Sequence, residues 1–202
     1  MSTINTYDSS RPECGGEKQR FIDLALKNAE LADVLKRLPD LGVKDCWVVS
    51  GGLVQSTWNA LFNKAPNFGI LDYDLIYFDS DISWDSEDRV IQRGKMLFGD
   101  ISKPVEIRNQ ARVHLWYEKK YGRHVPPLRS SCQSLWRYPS RTTAVAINID
   151  NNSLVKLYAP FGVNHALNLK IQPNRRSRQP AAYIEKSQRW QTTWPELEVI
   201  QW

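Results

Sequence analysis

Cysteine and histidine are both scarce. Cys14, Cys46 and Cys132 lie far apart, as do His114, His124 and His165, and neither set has the close spacing of zinc ligands. An odd, sparse set of cysteines offers no disulfide framework and points to a reducing, cytoplasmic setting. No apolar run approaches the ~20 residues that a membrane span needs, so no membrane partner is expected. Residues 1–16 have neither a basic start nor an apolar segment, so they do not read as a secretory signal. Being rich in Ser, Thr, Gly and Pro, they read as a disordered N-terminal arm. Internal repeats and low-complexity tracts are also missing.

What is present suits one domain of ordinary size. The chain has 202 residues, 42% of them hydrophobic, with eight tryptophans to build a core. The net charge of +5 is unevenly spread: residues 1–100 hold 11 Lys and Arg against 16 Asp and Glu, and residues 101–202 hold 16 against 6. An acidic first half suits a cation. A basic second half suits a phosphate-rich partner, a nucleotide or a nucleic acid, or simply solvates the surface.

Phe21, Leu24, Ala25, Leu31 and Leu35 recur at helical spacing, predicting one long helix or two short ones over 17–38, stopped near Pro39. Trp47–Val49 reads as a buried strand, Gly51-Gly52 as a break, and 53–62 as a helix. A strand is expected over 70–78, a helix over 85–98, a strand over 103–108 and a helix over 110–121 ended by Gly122. Residues 144–149 and 154–158 read as a hairpin about Asp150-Asn151-Asn152, and 183–190 as a short helix. Strands alternating with helices, followed by a hairpin, predict an α/β (α+β) domain with a mixed sheet flanked by helices.

Asp72 and Asp74 carry the chemistry in this reading. Alternate strand residues share a face, so both carboxylates project together with Tyr73 opposite. Such a pair resists full ionisation unless a cation sits between its members. Magnesium is held by one or two carboxylates plus substrate phosphates. An isolated D-x-D is often just a solvated strand end, but here Ile70-Leu71 and Leu75-Ile76 flank it. Glu106, between Val105 and Ile107, reads as buried. It is either the ion-pair partner of Arg108 or a third metal ligand and proton acceptor. Gly51-Gly52 lets the backbone approach a ligand at a helix N-terminus, with Ser50 and Ser56 adding hydroxyls and Gln55 and Asn59 sharing a helix face. The same glycines also serve any ordinary strand-to-helix turn. Trp58 could line a base pocket or belong to the core. Asp79 has the wrong strand parity for a ligand, and Asp81, Asp85, Glu87 and Asp88 read as solvated. Arg108, Lys156, Lys170, Arg175, Arg176 and Arg178 are candidates for phosphate or acceptor contact.

Taken in order, Gly51-Gly52, Asp72-Tyr73-Asp74 and Val105-Glu106-Ile107 resemble the pattern of the DNA polymerase β-type nucleotidyltransferase superfamily. The stretches 51–63 (GGLVQSTWNALFN), 72–79 (DYDLIYFD) and 105–121 (VEIRNQARVHLWYEKKY), with Ala159–Gly162 and Pro173-Asn174, are similar to a group known as nucleotidyltransferase family proteins. The resemblance spans most of the chain from Asp45 onward. It departs from the superfamily in the nineteen residues between Gly52 and Asp72 and in having Gly-Gly where many members have Gly-Ser.

The resemblance implies a polymerase β-like fold, with residues 17–202 as a single domain and a basic extension from about 160. It implies transfer of a nucleoside monophosphate from an NTP to an acceptor hydroxyl, with pyrophosphate released. Asp72, Asp74 and Glu106 would be the catalytic metal ligands for two Mg2+ ions, Mn2+ being an alternative. Ser50, Gly51, Gly52, Gln55, Ser56 and Arg108 would contact the nucleotide. The acceptor is open among a small molecule, a protein side chain and an RNA end, and a non-catalytic nucleotide- or RNA-binding module is the rival reading.

Overall fold

Asn28 divides the first helical stretch in two. The structure, a computed structural model, describes residues 15–150 and 154–202. In it α1 spans Gly15–Ala25 and α2 spans Ala29–Arg37. The Asn28 Oδ1 accepts from the N–H groups of Glu30 and Leu31, capping α2, and Leu31, Val34 and Leu35 form its buried face. Pro39 then opens a short 3-10 turn, Leu38–Leu41. Most of the expected N-terminal arm lies outside the described residues, as do Asn151 and Asn152.

β1 (Trp47–Val49) leads through Ser50 into α3 (Gly51–Leu61), and β2 (Tyr73–Tyr77) follows. The strand expected over 70–78 is shorter because Gly69, at φ +67, turns the chain just before it. Asp72 therefore sits immediately ahead of β2. α4 (Trp84–Leu97) is capped by the Ser83 hydroxyl, has Asp85 and Glu87 in its first turn, and packs on β3 (Val105–Asn109). The contact is close: a Cβ on Gly94 would meet Ile107 Cδ1 at 2.1 Å. α5 (Val113–Tyr121) ends at Gly122, whose φ of +65 gives the left-handed cap that glycine adopts without strain. The hairpin is β4 (Ala146–Ile149) with β5 (Val155–Tyr158). The chain closes with the single turn α6 (Asn164–Leu167), β6 (Lys170–Ile171), α7 (Pro180–Thr193) and β7 (Glu198–Val199). The expected extended tail is thus a strand paired in parallel with β6.

The main sheet has the order β3-β2-β1-β4-β5, with only β2 and β3 parallel, which is the expected mixed sheet. Its two faces differ. Val48, Tyr73, Leu75, Tyr77, Ile107 and Ile147 join the main core with the helices. Val49, Ile76 and Ala146 face the other way, under a smaller cluster with Leu135 and Ala144, against which Tyr138 and Phe161 pack. The segment after residue 160 is built into the main core through Val163, Ile171, Tyr183 and Trp194. Trp58 is wholly buried, donates from Nε1 to the Ala166 carbonyl and packs edge-on to Trp190 and Trp194, so it is core and not a pocket wall. No helix among the described residues is long and apolar enough to cross a membrane.

Candidate active site

Residues paired across a sheet share a face. Val49 pairs with Asp74, and Asp74 with Glu106, so the three form one row across β1, β2 and β3. Ser50 follows Val49 directly. The sequence-predicted turn, Asp74 and Glu106 are therefore brought to one end of one sheet face, with Asp72 in the segment just ahead of β2. The first turn of α3 stacks on the start of β2: a Cβ on Gly52 would meet the Tyr73 ring at 2.8 Å and the Asp72 carbonyl at 3.4 Å. Gly52 is thus glycine because a strand lies against it.

Ser50 has φ +69 and ψ −135, a conformation that glycine adopts freely and a side chain does not. Its N–H donates to the Val145 carbonyl at 3.0 Å, and its hydroxyl makes no capping bond to the helix. Gln55 is 5% exposed, its Nε2 would clash with a Cβ on Gly51 at 2.8 Å, and its Oε1 is buried without a partner.

Ser56 lies elsewhere. Its hydroxyl donates to the Gly52 carbonyl and accepts from Asn28 Nδ2, in a buried network on the core side with Tyr73 and Asn67. Asn59 is also committed internally, to the carbonyls of Pro66 and Phe68 and to Trp194 Nε1.

Burial pushes the Asp74 carboxyl up to about 6; nearby Asp72 and Glu106 push the same way, while Lys186 and Arg108 oppose them. Glu106 is not buried as expected. β3 is an edge strand, so its carboxylate is half exposed, 3.4 Å from the Arg108 guanidinium. Both sequence alternatives for Glu106 thus occupy one place. Among the described residues no three Asp, Glu, His or Cys side chains converge as a ready-made metal cage. The donor set nevertheless fits magnesium, which completes its shell with phosphates and water. Asp72 and Asp74 offer hard oxygens only, and the mutual repulsion at Asp74 is what a cation relieves.

A cavity of about 250 Å³ opens from Ser50 and Asp74. Arg108, Arg137 and Lys186 line it, as do Tyr138 and the α5 residues Trp116, Tyr117 and Tyr121. Burial, then the charge of Asp74, push the Tyr138 phenol up, so it stays a neutral hydroxyl. Sequence reasoning missed Lys186, which α7 brings to Asp74 from over a hundred residues away; no local pattern marks it. The aromatic density at 116–121 was the one available signal for the wall. Lys156, Lys170 and Arg175, candidates for phosphate or acceptor contact, are engaged within the chain by Asp150, Glu198 and the Gln201 carbonyl. Glu87, expected to be solvated, is a largely buried partner of Arg112 at 2.8 Å and accepts from the Asn109 N–H.

A family model described as nucleotidyltransferase matches residues 36–199. The chain belongs to that nucleotidyltransferase family. It is also similar to a protein whose NMR structure is described as revealing a CCA-adding enzyme head domain. The TM-score is 0.72 at 25% identity, covering 91% of this chain and 96% of that one. No match was found among curated proteins.

Proposed function

We propose that the protein is a metal-dependent nucleotidyltransferase that moves a nucleoside monophosphate from an NTP to an acceptor hydroxyl. The observation that carries this is the row Val49–Asp74–Glu106, which sets the Ser50–Gly52 turn beside the carboxylates at the mouth of a cation-lined cavity. The N–H groups at the start of α3 and its dipole hold phosphate oxygens. Arg108 and Lys186 add positive charge beside them. Asp72 and Asp74 would hold Mg2+ or Mn2+, with Glu106 as a third ligand. The metal held there would supply charge stabilisation for the attacking and leaving oxygens. Glu106 takes the proton of the acceptor hydroxyl as the new O–P bond forms, the bond between the α-phosphorus and its bridging oxygen breaks, and pyrophosphate leaves. Gln55 supports the turn from beneath, and Ser56, whose hydroxyl is consumed in the core, has no contact with nucleotide. The CCA-adding likeness makes an RNA end one candidate acceptor, beside a small molecule and a protein side chain.

The test is thermal stability against each NTP with and without Mg2+, together with pyrophosphate release, for wild type and Asp74→Asn. A stability gain that requires both metal and nucleotide is expected in wild type. Asp74→Asn should lose that gain and slow pyrophosphate release by at least ~100-fold, while its own melting temperature holds. Near-normal release in the variant would sink the assignment.

A further inference from the structure

Part of the cavity lining takes no part in the transfer chemistry. There, three rings of α5 make one wall: Trp116 and Tyr117 have centroids 6.1 Å apart, Trp116 and Tyr121 6.5 Å, and Tyr117 and Tyr121 4.7 Å. Their burial is unequal. Tyr117 is 4% exposed and its hydroxyl accepts from Gln179 Nε2 at 3.0 Å, which fixes the wall. Trp116 is 41% exposed and Tyr121 37%. The fold does not need these two rings to fill its interior, because α5 packs through Val113 and Tyr117 against Val125 and Leu128. A lone exposed aromatic means little. Here, though, both exposed rings line the same cavity as Ser50 and Asp74. Cations lie over the rings: Lys120 Nζ is 5.7 Å from the Trp116 centroid and 5.5 Å from that of Tyr121, on a long flexible stem that a ligand can displace, and Arg123 is 5.9 Å from the Tyr117 centroid.

A cavity whose walls carry phosphate- and cation-binding groups together with solvent-accessible aromatic rings matches a molecule that is polyanionic at one end and a flat π-system at the other. We propose that Trp116 and Tyr121 form a stacking platform for the nucleobase of the donor NTP, whose phosphates lie at Ser50 and Asp74. The proposal rests on the nucleotidyl-transfer reading and adds where the base goes. Stacking engages the π-face that every base has, so the platform accepts all four NTPs with little preference among them.

The experiment is calorimetric titration, in Mg2+, of wild type, Trp116→Ala, Trp116→Phe, Tyr121→Ala and Asp74→Asn with each NTP and with inorganic tripolyphosphate. Trp116→Ala should weaken every NTP by about tenfold and leave tripolyphosphate unchanged, with Trp116→Phe restoring most of the loss. Tyr121→Ala should act in the same direction, so the result does not hang on one variant. Unchanged NTP affinity in Trp116→Ala and Tyr121→Ala overturns the platform, as does an equal loss for NTP and tripolyphosphate. If Asp74→Asn still abolishes NTP binding in that case, the transfer reading stands without the platform. Wild type that binds no NTP overturns both.

Discussion

Ser50 holds a backbone conformation that costs a non-glycine residue about 1–3 kcal/mol. Glycine would remove that strain but add roughly 0.5–1 kcal/mol of unfolded-chain entropy to overcome. Ser50→Gly is therefore expected to raise stability by about 1 kcal/mol in denaturant titration, and to slow transfer because the strained residue sets the aim of the turn. Glu30 makes the opposite case, a residue satisfied by the fold. Burial raises its carboxyl, but the Ser102 and Asn67 side chains and the Lys103 and Ser102 N–H groups outweigh that and hold it below its ordinary 4.5. A lowered folded value means stabilisation that is present at neutral pH and lost as pH falls through it. Glu30→Gln should cost about 1 kcal/mol at pH 7, less than the ~1.5–3 kcal/mol of buried charged hydrogen bonds because the group is partly exposed. The difference from wild type should vanish in acid; a pH-independent difference would mean that the carboxylate charge is not what these donors recognise.

At the scale of the element, the joint between α3 and β2 decides whether the site forms. The two glycines that open α3 are not equivalent. A Cβ on Gly51 meets only the far end of Gln55, which can move aside; a Cβ on Gly52 meets the Tyr73 ring. That ring is fully buried and its hydroxyl is held by Asn28 and Asn67, so it cannot yield. Gly52→Ala should destabilise by about 1–3 kcal/mol, the range for overpacking a filled core, and Gly51→Ala by less than about 1 kcal/mol. Comparing their denaturation midpoints checks this, and equal losses would contradict the joint as described. Any separation of α3 from β2 also separates the phosphate-binding turn from the carboxylates, so Gly52→Ala should lose transfer beyond what its stability loss explains.

At the scale of the molecule, the last forty residues close the core. Trp194 is wholly buried, donates to Asn59 Oδ1 at 2.9 Å and meets Trp58 edge-on. Trp194→Ala should cost about 3–5 kcal/mol by thermal or chemical melting, as large buried aromatics do, and a loss below ~1 kcal/mol would show the C-terminal segment to be a separable attachment. The strands and most helices were legible in the sequence because their signals are local: Val48 and Leu75 sit in short apolar runs and Gly122 terminates a helix, while the Asn28 and Ser83 caps emerged only in the structure. The sheet face of Asp74 was legible for the same reason, since a strand alternates regardless of its partners, whereas Asp72 was expected on that strand and lies just ahead of it. Register was not. Which residue of β3 lies beside Asp74, and whether Glu106 meets solvent or core, depend on where β3 falls in the sheet. The part each polar side chain plays also escaped: Ser56 and Asn59 look like site residues along α3, and only the packing of α1, α2 and the loop at Pro66 turns them into the core. Lys186 and Trp116 joined Asp74 through contacts made across much of the chain. Local propensity and alternation thus determined the elements and which residues could carry charge together. Long-range packing alone decided which of them meet, because side-chain convergence depends on burial and pairing between segments that are distant in sequence.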